Sequence, residues 1–279
     1  MGPNNFILTE IPRFRQGVMI DSIISNLEEK LHSINNISRH NSEEYFKNYI
    51  DWFSDIEQNL NNKVFDRALT DLILDANYRQ VLTSFPGQSE VIKKNLINDD
   101  IRRKRKLLDD IVSDFKQIKK ILQGTRCNSD QKLDSRPIIV DTNLLMHFHP
   151  INDIELLDQE ESVKIKRFIV PREVVRELDK LKFQLTNKKQ EKCVTALKWI
   201  KGQVALSKQN KSISEAQFVV ELNTLSFADL VPDTADEVIL RLGNLFKSSN
   251  IDFLIATADT GLALLAEMEG YNVKFIPQN

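Results

Sequence analysis

The chain has 279 residues, enough for one large or two ordinary domains, and 38 basic against 40 acidic side chains give it a formal net charge of -2. This balance excludes a globally basic nucleic-acid-coating protein, so any nucleic acid must be bound by a local patch. Its two cysteines, Cys127 and Cys193, lie far apart and lack metal-ligand spacing, which excludes a disulfide framework and a structural zinc site. No signal-peptide pattern or membrane-spanning apolar stretch is apparent, so we expect a cytoplasmic protein without a membrane partner.

The sequence from about Val18 to Gln123 has a helical pattern, because apolar residues recur at three- and four-residue steps without strand alternation. The pattern predicts helices over Tyr45 to Leu60, over Val64 to Leu82 with Phe65 on the buried face, and over Glu90 to Gln123. Residues 1–135 are therefore predicted to form an all-α domain. We expect this domain to recruit a substrate or a partner.

The last of these helices contains a run of positive charge, Arg102-Arg103-Lys104-Arg105-Lys106. Such a run is most often a solvated helix face, and aspartates flank it on both sides. The alternative is a phosphate-contacting patch that binds nucleic acid without sequence preference, through Arg102, Arg103 and Arg105.

The polar stretch from Gly124 to Ser135 is typical of a linker, and we place the domain boundary there. Beyond it, strand and helix patterns alternate, which predicts an α/β domain over residues 136–279 with a parallel sheet covered by helices. The predicted strands are Ile138 to Val140, Phe168 to Val170, Ser226 to Ala228, Phe253 to Ala256 and Val273 to Ile276.

Two aspartates, Asp141 and Asp259, follow predicted buried strands. Ligands of open α/β sheets bind outside the carboxyl ends of the strands, so a carboxylate at this position indicates a site. Aspartate is also an ordinary turn and capping residue, and position alone does not separate these roles.

Two further acids lie near predicted helix starts. Glu177 is expected to be partly buried beside the apolar stripe of its helix, where it needs a cation, and an ion pair with Arg172 or Arg176 is the ordinary alternative. Thr234 and Glu237 have capping-box spacing, which leaves Asp236 free, although the helix dipole alone could favour an acid there.

Taken together, these four acids suggest a single cation site. Converging carboxylates without matching arginines repel one another, and hard divalent cations with oxygen ligands relieve that repulsion. Mg²⁺ or Mn²⁺ suits this ligand set and zinc does not. His147 and His149 belong to a separate His-Phe-His-Pro segment, and we interpret them as loop or packing residues.

The second half of the chain resembles the PIN-domain family of metal-dependent ribonucleases. The matching segments are Ile-Ile-Val-Asp141-Thr-Asn-Leu-Leu, Val-Pro-Arg-Glu-Val-Val-Arg-Glu177-Leu-Asp, Asp236-Glu-Val-Ile-Leu and Ala-Thr-Ala-Asp259-Thr-Gly-Leu, in that order. Their form is most similar to PIN domains of PhoH-type fusions and of toxin ribonucleases. Residues 1–135 show no comparable resemblance.

The resemblance implies a toxin-like endoribonuclease in which Asp141, Glu177, Asp236 and Asp259 hold one or two Mg²⁺ or Mn²⁺ ions. Such a centre activates water for hydrolysis of an RNA phosphodiester and leaves a 5′-phosphate and a 3′-hydroxyl. Residues expected to orient the ligands or the water are Asn143, Thr257, Thr260 and Glu237. Either Asp236 or Glu237 could be the third acid. The family further suggests an antitoxin-like protein regulator and a homodimer as partners.

A cluster of lysines after Glu177 is a candidate surface for single-stranded RNA, because cations next to the aromatic Phe183 suit such a ligand. Its proposed members are Lys180, Lys182, Lys188 and Lys189. Two alternatives to the ribonuclease remain from the sequence: a PIN-fold scaffold that binds RNA or protein with little catalysis, and a nuclease specific for DNA or for structured junctions.

Overall fold

A computed structural model describes most of the chain: residues 7–8, 10–37, 41–65, 67–123, 136–147, 166–186, 188–209, 218–223, 225, 227 and 234–277. Contacts divide the chain into two compact units, Met1–Leu122 with Ser226–Asp229, and Gln123–Leu225 with Leu230–Asn279. The predicted linker, Gly124 to Ser135, and His149 lie outside the described residues. The boundary between residues 135 and 136 therefore stays a prediction.

Unit 1 is mostly helical, as the sequence predicted. Its described α-helices are α1 (Ile20–Ser33), α2 (Ser42–Asn61), α3 (Ala68–Ile73), α4 (Ala76–Ser84) and α5 (Glu90–Leu122). The four shorter helices pack against the long helix α5. Large apolar side chains such as Leu27, Phe53 and Phe115 are fully buried between them, and burial of this kind supplies most of the stability of an amphipathic helix.

The single helix predicted from Val64 to Leu82 is wrong, because the structure has α3 and α4 there. Asp75 caps α4 by accepting the N–H groups of Asn77 and Tyr78 at 2.9 and 3.1 Å, which fixes a helix start inside the periodic stretch. Phe65 precedes α3, and 54% of its surface is exposed. It is therefore not a core residue.

The basic run on α5 divides between the interior and the surface. Lys104 is 1% exposed and lies 2.5 Å from an oxygen of Asp75 and 3.8 Å from one of Asp100. Tyr49 donates a hydrogen bond of 2.6 Å to the other oxygen of Asp100. Lys104 is thus a core residue of unit 1, while its neighbours Arg103 and Arg105 are exposed.

Unit 2 contains a five-stranded, all-parallel sheet in the order β3-β2-β1-β4-β5, which confirms the predicted α/β fold. The strands are β1 (Pro137–Val140), β2 (Lys166–Pro171), β3 (Phe218–Asn223), β4 (Leu254–Thr257) and β5 (Val273–Phe275). The described helices are α6 (Thr142–His147), α7 (Arg172–Gln184), α8 (Lys188–Gln209), α9 (Ala235–Ser248) and α10 (Thr260–Met268). No helix in the described part of the chain is both long and apolar enough to cross a membrane.

Of the predicted third strand, Ser226 to Ala228, only Phe227 is among the described residues, and it is not part of the sheet. Its place in the sheet is taken by Phe218–Asn223, which pairs along its whole length with β2. Phe227 instead forms an isolated parallel bridge with Ile11 and belongs to unit 1. A short apolar sequence is compatible both with a strand of the sheet and with an isolated β-bridge, so the pattern did not distinguish them.

The central strands β1 and β4 define the position of the site. Val140 pairs with Ala256, so both strands end side by side at the carboxyl edge of the sheet. From β1 the chain continues to β2 on one side, whereas from β4 it continues to β5 on the other. This reversal is a topological switch point, where a crevice opens at the carboxyl edge of open α/β sheets.

Candidate active site

Asp141 lies directly after β1 at the switch point and is 2% exposed. Its Oδ1 accepts the Leu144 N–H at 2.7 Å, and its Oδ2 accepts the Thr257 hydroxyl at 2.6 Å. The pKa of Asp141 is raised to about 6, chiefly by burial and also by the negative charge of Asp236, against the lowering effect of these hydrogen bonds. The protein thus holds a carboxylate where water solvates it poorly.

Asp259 reaches the same edge from β4. Its Oδ1 accepts the N–H groups of Gly261 and Leu262 at 2.7 and 3.0 Å, which makes it the cap of α10. Its Oδ2 accepts a hydrogen bond of 3.2 Å from the Asn143 amide. The buried Thr257 hydroxyl accepts the Asp259 N–H at 2.9 Å while it donates to Asp141, so one hydroxyl aligns both strand-end acids.

Glu177 differs from its prediction, because its side chain is exposed rather than partly buried. Its Oε2 accepts the hydroxyl of Thr142, the residue after Asp141, at 2.6 Å. The predicted alternative, an ion pair with an arginine, is wrong as well. Arg172 and Arg176 lie 3.0 and 3.6 Å from Glu173 instead, and that carboxylate is buried. Glu177 is thus held towards the end of β1.

Asp236 is in the first turn of α9, and its charge interacts with the other acids. Loss of surrounding water raises its pKa, and so do the negative charges of Asp259 and Glu177, although the side chain as a whole is exposed. The adjacent Glu237 donates its N–H to Thr234 at 3.2 Å and lies 3.6 Å from Arg241. These contacts favour Asp236 over Glu237 as the third acid.

The four carboxylates interact through their charges but do not yet surround one point. Among the described residues, no three His, Cys, Asp or Glu side chains lie close enough to hold a metal ion as they stand. The donor set nevertheless fits a hard divalent cation: all four groups are carboxylates, and no described lysine or arginine forms an ion pair with them. Glu177 Oε1 and both Asp236 oxygens accept no hydrogen bond from the described residues, so their lone pairs are available to a cation.

A family model described as the PIN domain matches residues 138–274, the segment that contains all four acids. The second half of this chain is a PIN domain. PIN domains are typically nucleases and generally use divalent metal ions. A solved domain of a functionally unknown protein from Methanocaldococcus jannaschii DSM 2661 is similar at 19% identity, over 52% of this chain and 93% of that one, with a TM-score of 0.34. No curated protein matches the chain.

The remaining predicted site residues of the PIN domain differ in their surroundings. Thr260 is exposed at the first position of α10. Lys180, Lys188 and Lys189 are exposed, whereas Lys182 forms an ion pair with Asp179 and lies 4.6 Å above the ring of Phe183.

Phe183 is 78% exposed, the state that base stacking requires.

In unit 1, Arg102 lies 3.7 Å from Asp99, and Arg103 donates to Asn77 at 2.7 Å. Arg105 is exposed.

Sequence reasoning missed two side-chain contacts in the PIN domain. Thr142 holds Glu177, and its place directly after a strand-end aspartate was the available signal. His147, interpreted as a loop or packing residue, ends α6 and lies 3.3 Å through Nδ1 from Lys192 Nζ. No pattern in the sequence could reveal that contact, because it joins two helices that are 45 residues apart.

Proposed function

We propose that this protein is a Mg²⁺- or Mn²⁺-dependent endoribonuclease whose centre is formed by Asp141, Glu177, Asp236 and Asp259. The observation that carries the proposal is the mutual repulsion of these acids at the switch point. Each of the pKa shifts at Asp141 and Asp236 includes a contribution from a neighbouring carboxylate, and no ion pair among the described residues joins a lysine or arginine to any of the four acids. Like charges that lie together without a compensating cation destabilise a fold. Such an arrangement is typical of functional sites.

A bound divalent ion would supply a water of lowered pKa and would neutralise the phosphodiester at the same point. The chain's own residues prepare that chemistry. Thr257 and the Leu144 N–H keep the Asp141 carboxylate in one orientation, so little reorganisation is needed when the site is filled. Asn143 and Thr142 do the same for Asp259 and Glu177.

We assign the substrate as single-stranded RNA, to be cut to a 5′-phosphate and a 3′-hydroxyl. Support comes from the exposed Phe183 beside Lys182 and from the exposed Lys180, Lys188 and Lys189. A stacked aromatic requires an unpaired base, and the cations suit the backbone. A protein regulator of the antitoxin kind and a homodimer remain proposals that follow from the family alone.

The test is cleavage of a labelled single-stranded RNA in Mn²⁺ by the wild type, by Asp141→Asn and by the wild type with chelator. Mass spectrometry then identifies the product ends. We expect cleavage with 5′-phosphate ends only in the untreated wild type. Faster cleavage of the matching DNA strand would assign a DNA nuclease instead. A folded wild type that neither cleaves nor binds Mn²⁺ by calorimetry would identify a scaffold.

A further inference from the structure

A basic cluster of one histidine and two lysines, which we call the α6/α8 cation cluster, shares no residue with the four acids. It consists of His147 at the end of α6 and of Lys189 and Lys192 in the first turns of α8. Lys192 Nζ is 3.3 Å from His147 Nδ1. Burial lowers the pKa of His147, and the positive charges of Lys192 and Lys189 lower it further. All three groups therefore share one electrostatic environment.

Nothing in the described part of the chain neutralises this cluster. No described carboxylate forms an ion pair with Lys189, Lys192 or His147, although the composition of the chain is slightly acidic overall. Both lysines are exposed, and they are three residues apart on α8, so they project from one face of the helix. Two like charges that meet at a histidine repel one another unless an anion lies between them.

The geometry of α6 connects the cluster to the acids. His147 follows Asn143 by four residues, so both side chains project from the same face of α6. Asn143 already contacts Asp259. Asp141 precedes His147 by six residues, which corresponds to about 9 Å of helical rise. A strand whose phosphodiester lies at the acids can therefore place another phosphate at the cluster.

We propose that His147, Lys189 and Lys192 form a phosphate-binding subsite that holds a backbone phosphate of the substrate strand, distinct from the phosphate that is hydrolysed. The identification of the anion as a nucleic-acid phosphate rests on the proposed function. When Lys192 donates to Nδ1, the imidazole proton is on Nε2 and is a donor for a phosphate oxygen. The lysine ammonium groups provide further donors and the opposite charge.

The test uses a fluorescein-labelled 2′-O-methyl RNA single strand in chelator, so that binding is measured by anisotropy without hydrolysis. Lys189→Gln and Lys192→Gln should each weaken binding about tenfold, the size of one charge-assisted hydrogen bond. The slope of log affinity against log salt should fall by about 0.7 for a lost contact with a single strand. Lys198→Gln is the matched control, because Lys198 is exposed on the same helix but projects from the opposite side to Lys189.

A second probe locates the phosphate. Strands in which one linkage at a time is an uncharged methylphosphonate should show one position that weakens wild-type binding but leaves Lys192→Gln binding unchanged. Equal effects in the lysine variants and in Lys198→Gln, or the absence of any linkage whose methylphosphonate effect disappears in Lys192→Gln, would overturn the subsite. Because binding is measured without metal, loss of the subsite is distinguishable from loss of the nuclease function, which only the Mn²⁺ cleavage assay reports.

Discussion

Replacing Asp141 with asparagine should stabilise the metal-free protein, although it should abolish activity. The folded chain raises the pKa of Asp141 from 3.8 to about 6. That shift of about two units, at 1.36 kcal/mol each, means that an ionised Asp141 costs about 3 kcal/mol of unfolding free energy near neutral pH. Asparagine removes the charge and keeps the shape, with an oxygen for the Leu144 N–H and an amide that can donate to Thr257.

The raised pKa of Asp141 also predicts how the free energy of unfolding depends on pH. Because the folded carboxyl binds its proton more tightly than the unfolded one, raising the pH from about 4 to about 6 favours the unfolded chain. In urea unfolding with chelator, the wild type should therefore lose stability over this range. Asp141→Asn should lack the part of this loss that comes from Asp141, so that it matches the wild type near pH 4 and exceeds it by about 2 to 3 kcal/mol near pH 7.

The control is Asp179→Asn, which removes an exposed carboxylate from α7 and should leave the pH slope unchanged. Mn²⁺ should reverse the order of stability, since an ion that binds only the folded wild type stabilises it by mass action. An Asp141→Asn variant that is less stable than the wild type in chelator at neutral pH, or that keeps the wild-type slope, would refute the reasoning.

Two further substitutions test contacts between buried side chains. Thr257→Val removes the hydroxyl that donates to Asp141 and should lower the free energy of unfolding by about 1 to 3 kcal/mol, whereas Thr257→Ser should restore it in the same urea assay. Lys104→Met leaves the buried Asp100 without its cation and should destabilise unit 1 by about 3 kcal/mol in urea unfolding followed by circular dichroism. Arg102→Gln, at an 82% exposed side chain of the same basic run, should change that stability little, and a loss equal to that of Lys104→Met would contradict the assignment of Lys104 to the core.

The sequence predicted the parts of the fold that depend on local patterns. Buried apolar runs followed by Asp141 and Asp259 predicted parallel strands with carboxylates at their ends, and the sheet confirms the fold class. The third strand was misplaced because Phe218–Asn223 and the segment around Phe227 both have short apolar patterns, and only pairing partners separate them.

What could not be predicted depends on contacts between distant residues. The periodicity around Glu177 predicted burial, but the side chain lies on the exposed flank of α7, and the nearby arginines pair with Glu173. Lys104 looked like a surface charge within a basic run, yet Asp75 from the preceding helix holds it in the interior. Charge patterns along a sequence do not reveal which charges tertiary packing removes from water.

The most direct test of the assigned centre compares two adjacent acids, Asp236→Asn and Glu237→Gln, in single-turnover cleavage of single-stranded RNA with Mn²⁺. Asp236 interacts with the other acids, whereas Glu237 is near Arg241, so only the first change should remove transition-state stabilisation. We predict that Asp236→Asn slows cleavage by about a hundredfold, the loss of about 3 kcal/mol, and that Glu237→Gln stays close to the wild-type rate. The reverse order, or equal rates for both variants, would contradict a centre built from Asp141, Glu177, Asp236 and Asp259.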